Sequence, residues 1–247
     1  MKSFQFLFFL ILVTVAFQGC KKGKDNDPEA GKEGTVKLTL LLKFKSDTLR
    51  FNQPYISSAG DTIVITKFRF YFSRFTLLSP NNDTLFEEVN SYHLLDYGDA
   101  SRRGFTLTPV PYGNYARLGF AIGVDSSRNH TLSSIPDLNP TYGMHWDTLN
   151  GYIFIQIEGT YNGTPLSHHI GGDAAYRTYN IPLPIAFSPA NYKTYEIIFS
   201  VDLDTYFSHL SHSTGGFPIT IAAPGTTAND AAMHFGHGIS VPKINIF

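Results

Sequence analysis

The chain has 247 residues, a net charge of −1 and only 16% charged residues, with no basic patch, which excludes nucleic acid as a partner. Its sole cysteine is Cys20, so the domain that follows can have neither a disulfide framework nor a thiolate metal centre. The 21 phenylalanines and 14 tyrosines favour strands, and long runs of helix formers are absent.

The N-terminus reads as a processing segment. Lys2 supplies positive charge, and Phe4 to Phe17 is almost wholly apolar but too short for a comfortable membrane span. Gly19-Cys20 follows, so residues 1–19 read as a bacterial lipoprotein signal and Cys20 as the lipidated first residue of the mature protein. The alternative is an ordinary secretory signal in which the cysteine is incidental. Residues 20–34 contain Lys, Asp, Glu and Gly but nothing large and apolar, which predicts a disordered tether. Residues 35–247 remain for one β domain.

Period-two alternation then recurs along the chain. Val36, Leu38, Leu40, Leu42 and Phe44 share one face of a strand, as do Phe68, Phe70 and Phe72. Ser91 to Asp96 predicts a short strand with His93 and Leu95 on one face and Tyr92 and Leu94 on the other. Leu118 to Val124, Tyr152 to Ile157 and Tyr195 to Val201 alternate in the same way. Turn signals at Ser79 to Asp83 and Pro111 to Asn114 separate them, and Asn162-Gly163 is the strongest hairpin signal. The expected fold is all-β, a mostly antiparallel β-sandwich with long functional loops. Two such loops are expected: Asp125 to Asn150, and Phe207 to Gly238, which carries His209, His212, His234 and His237. Val241 to Phe247 can close the domain as a last strand.

Imidazole and thioether side chains suit copper. His93 reads as a ligand or as a core histidine bonded to a carbonyl. Met144, His145 and the only tryptophan, Trp146, are consecutive. In an extended segment His145 and Trp146 point opposite ways, whereas in a turn both can line one pocket. His168 and His169 alternate faces, and the sequence does not decide which turns inward. His234 and His237 have a metal-like spacing. No nucleophile elbow, phosphate-binding loop or zinc-protease motif is present, which argues against an enzyme. A metal-free module holding a sugar, peptide or protein at the outer membrane is the competing class.

An ordered set of motifs resembles the MbnP-like copper-binding family: Phe68 to Ser73, Tyr92-His93-Leu94-Leu95-Asp96, Leu118 to Asp125, Asp137 to Pro140, Gly143-Met144-His145-Trp146, Gly151 to Phe154, Glu158-Gly159 and His169-Ile170-Gly171-Gly172. The resemblance implies a copper-binding protein of a Gram-negative cell envelope with a β-sandwich-like fold, which a lipidated Cys20 would anchor to the outer membrane on its periplasmic or surface face. It implies histidine ligands and a tryptophan oxidised to kynurenine by a di-haem peroxidase-like partner. By position His93 is the upstream ligand, His145 a second, Trp146 the oxidisable residue and His169 the next choice, with Met144 and His168 as further candidates. The family often reads Met-x-Trp-x-Trp, and Thr148 stands where the second tryptophan would be.

Overall fold

The alternating runs become strands in the computed structural model, which describes residues 33–189, 193–214, 216–222 and 224–247, without the side chains of 212–214. The signal segment and Cys20 lie outside the described residues. Glu33 and Gly34, expected in the tether, already belong to the first strand. The order begins β1 (Glu33–Phe44), β2 (Asp47–Thr48), β3 (Pro54–Ile56), β4 (Thr62–Leu78), β5 (Thr84–Glu87), β6 (Tyr92–Asp96), β7 (Gly104–Pro111) and β8 (Tyr115–Ile122). Next come α1 (Ser126–Asn129), β9 (His145–Asp147), β10 (Gly151–Tyr161), β11 (Thr164–Gly171), β12 (Arg177–Phe187) and β13 (Thr194–Asp202). It ends with α2 (Leu203–Thr214), β14 (Thr220–Ile221), α3 (Thr226–Phe235) and β15 (Ile239–Ile246).

Two sheets form. The five-stranded one runs β15-β13-β1-β2, with β7 also on β1. The ten-stranded one runs β12-β8-β4-β10-β11-β14, with β3, β5 and β6 on β4 and β9 on β10. Most pairs are antiparallel; β1 with β13 and β11 with β14 are parallel. The Asn162-Gly163 signal is a two-residue turn with positive φ at both positions, joining Tyr161 to Thr164.

The long strand β4 organises the core. Phe68, Phe70 and Phe72 are fully buried on its inner face. Phe199 of β13 meets Phe72 and Phe120 edge-on, at ring separations of 5.3 and 5.2 Å. Fully burying such a side chain contributes about 1.5–3 kcal/mol, and these rings fill the space between the sheets.

Phe207 to Gly238 is not a plain loop. Leu203, Tyr206, Phe207 and Leu210 are buried on α2, and Ala228, Ala231, Ala232 and Phe235 on α3. Both sets recur at i, i+3, i+4 and i+7, one face of a helix. Phe235 stacks on Phe68 at 6.1 Å, so the helix pair covers inner-face residues at this part of the ten-stranded sheet.

The outer face of β4 carries Lys67, Arg69 and Tyr71, and residues 125–150 cover part of it. Tyr71 meets Tyr152 edge-on at 5.7 Å, and the Tyr152 hydroxyl donates to the Leu138 carbonyl at 2.7 Å. Leu94, Leu138 and Met144 are also buried and continue the core on this side.

Candidate metal centre

Hydrogen bonds between distant motifs fix the covering segment. Tyr92 donates to the carboxylate of Asp125. The Asp137 carboxylate accepts from the Leu94 amide and from Arg102, both at 2.9 Å. Asn139 accepts from the Thr141 amide at 3.0 Å, starting the short 3-10 turn Pro140–Tyr142. These contacts deliver Met144, His145 and Trp146 to the edge of β10.

There β9 pairs with β10 through Asp147–Gly151 and His145–Tyr152, which leaves Trp146 as the extra residue of a bulge. Bulges re-aim a side chain and are over-represented next to functional sites. The indole is half-buried and lies across β11 at Gly171. A Cβ there would stand 2.8 Å from Trp146 Cζ3 and 2.4 Å from the Tyr152 carbonyl, so the indole can approach because residue 171 is glycine.

Two residues earlier on the same strand, His169 shares Gly171's face. It pairs with Gln156, which pairs with Arg69 on the outer face of β4. His169 Nε2 is 3.0 Å from Glu158 Oε1 and 3.0 Å from Gln156 Nε2. Gln156 Oε1 accepts from the Arg69 guanidinium, whose Nε is 2.7 Å away. Burial raises the Glu158 carboxyl, but hydrogen bonds from Lys67 and His169 outweigh it and hold it below the usual range. Glu158 therefore stays ionised beside the imidazole.

The other predicted residues lie elsewhere. His145 turns toward Tyr152, with rings 4.7 Å apart, and its Nε2 is buried without a hydrogen-bond partner. Burial holds its pKa below the ordinary histidine value, partly opposed by Asp147. Met144 is fully buried in the hydrophobic core. His93 pairs with Phe72, placing it on the inner face, opposite to His169. Its ring stacks flat on Phe105 at 3.5 Å and its Nε2 is 2.7 Å from Glu88. His168 also turns inward and is fully buried; Nε2 lies 2.6 Å from the Pro218 carbonyl and Nδ1 2.7 Å from the Tyr206 hydroxyl. Trp146 and His169 thus share one face, His145 turns to Tyr152, and His93 and His168 lie across the sheet.

A second locus joins His209 of α2, His234 of α3 and His237, with one ligand nitrogen from each within 4.8 Å of the others. The sequence signals the spacing of His234 and His237 but not His209, which helix packing brings from 25 residues away. Burial, followed by the neighbouring His237 and His209, holds His234 below the usual histidine pKa. The side chain of His212 is outside the described residues.

No curated protein matches the chain. Among solved structures, MbnP from Methylosinus trichosporium is similar at 17% identity and a TM-score of 0.49, over 79% of this chain and 82% of that one. The MbnP family model matches residues 33–222, well over half of the sequence, and the chain belongs to the MbnP family.

Proposed function

We propose that the protein is a copper-binding envelope lipoprotein that acquires or passes on copper, and that it is not an enzyme. One observation carries this reading: the only tryptophan is re-aimed by a bulge onto Gly171, on the face that presents His169 with its Nε2 against Glu158. A metal-binding histidine commonly has its second nitrogen held by a carboxylate, which orients the ring. Nδ1 of His169 is then the nitrogen that would meet copper. The imidazole suits the ion, and His145 in the neighbouring strand leaves its buried Nε2 unpartnered. Membership of the MbnP family supports the same reading.

Cys20 would anchor the protein to the outer membrane by lipid; a Cys20→Ala variant that stayed in the membrane fraction would remove the anchor from the proposal. A di-haem peroxidase-like partner would be the oxidant of Trp146, and the mass of the Trp146 peptide from native envelopes tests for kynurenine.

Copper affinity measured by competition tests the main reading. The wild type should hold copper, and His169→Ala should weaken binding by roughly tenfold or more, with Glu158→Gln intermediate. Wild-type affinity in His169→Ala would overturn it.

A further inference from the structure

His209, His234 and His237 take no part in the site just proposed. The closest pair of rings, His209 and His237, is 4.3 Å apart; His234 lies 5.4 Å from His237 and 6.0 Å from His209. His234 is only 7% exposed, yet neither Nδ1 nor Nε2 has a hydrogen-bond partner. Buried side-chain nitrogens are nearly always satisfied, and an exception asks for a ligand. Here both nitrogens of one ring are exceptions, and that ring faces two other imidazoles.

Asp202 touches the backbone at two places around the three. Its carboxylate accepts from the Asp204 amide at 3.0 Å and from Thr205 Oγ1 at 3.4 Å, which sets the start of α2 and so the height of His209. Its carbonyl lies against Gly238, where a Cβ would be 2.5 Å from that oxygen. Gly236 lies equally close to the Tyr179 hydroxyl, at 2.5 Å from a Cβ. Small residues on both sides of His237 let the chain leaving α3 settle against β12 and β13, and this brings His237 back over His234.

We propose that His209, His234 and His237 form a second, separate transition-metal site. Three imidazoles with no thiolate or carboxylate among them suit zinc or copper, and not magnesium or calcium. Bonds of about 2.0–2.1 Å in a tetrahedral array require nitrogens roughly 3.3 Å apart. The observed limit of 4.8 Å closes to that by rotating His209 and His237, which are exposed, while buried His234 stays in place. Their exposure also leaves a solvent side for a fourth ligand, so the ion is exchangeable or accepts a donor from outside. His234 and His237 lie beyond residues 33–222, so the site is a property of this chain and not of the matched family region.

Untagged full-length protein, stripped with a chelator, tests the proposal by equilibrium dialysis with zinc and, separately, with copper. The wild type should bind zinc, and copper at two sites per chain. His209→Gln with His237→Gln, both exposed and tolerant of change, should weaken zinc binding at least about tenfold and remove one copper, as should His234→Ala. His169→Ala should leave zinc binding unchanged and remove the other copper. A wild type that binds neither zinc nor a second copper, or a double variant with undiminished zinc binding, would overturn the proposal. If His169→Ala alone fails to lose copper, the site at Trp146 falls and this one stands.

Discussion

Replacing Phe72 with alanine should lower the folding free energy by about 3–5 kcal/mol, the usual range for deleting a buried phenylalanine. Phe72 is fully buried at the centre of the inter-sheet aromatic cluster. Its ring lies 4.9 Å from Phe120, 5.3 Å from Phe199, 5.5 Å from Phe105 and 6.3 Å from Phe75. Alanine removes those contacts from β4, β7, β8 and β13 together, and rings held in two sheets cannot collapse into the cavity. Phe72→Leu should recover part of the loss. Denaturant titration gives the value; a loss below about 1 kcal/mol would mean that the two sheets do not share this core. Trp146 lies on the other face of the ten-stranded sheet, so the folded fraction of the variant should keep wild-type copper affinity.

Acidification should destabilise the protein between pH 6.5 and 4 through His168. Burial pushes its pKa down to about 4, opposed in part by the Pro218 carbonyl and aided by the neighbouring His169. The hydrogen bonds demand the neutral ring as well: Nε2 must donate to the carbonyl, leaving Nδ1 to accept from Tyr206. Above the unfolded value of about 6.5 the histidine is neutral in both states and stability is independent of its titration. As pH falls below that, the unfolded chain takes up a proton that the folded protein refuses until about pH 4. Stability is therefore lost across this window and levels off below it, by roughly 3 kcal/mol in all. His168→Gln keeps a donor and an acceptor but cannot titrate, so its stability should fall less steeply over the window. Parallel slopes for variant and wild type in denaturant titrations at several pH values would show that His168 is not held neutral.

Much of the sandwich is legible in the sequence because one buried face per strand imposes strict alternation. β1 follows it throughout and β13 over most of its length, whereas β8 and the first half of β10 are buried on both faces; Asn162-Gly163 marks its hairpin through the φ values that turn requires. The helices α2 and α3 were obscured for a physical reason. Their apolar positions have helical spacing, but each helix is short, with Ser, Thr and His within it and Gly on the chain between and after them; packing against the sheet stabilises them. Alternation places His168 and His169 on opposite faces, yet only pairing with distant residues decides the sense. His168 stands opposite Ile157 and then Phe68, and His169 opposite Gln156 and then Arg69. The bulge at Trp146 was likewise hidden, since it arises from a mismatch between β9 and β10 and not from either segment alone.

The central claim is that copper binds beside Trp146. As the only tryptophan, it makes intrinsic fluorescence a local reporter. The measurement is a copper titration of the His209→Gln, His237→Gln double variant, in which the second site is disabled. Saturable quenching at one copper per chain, moved to higher copper concentration by His169→Ala, is the predicted result. Fluorescence that does not respond while the protein remains folded, or quenching unaltered by His169→Ala, would contradict it.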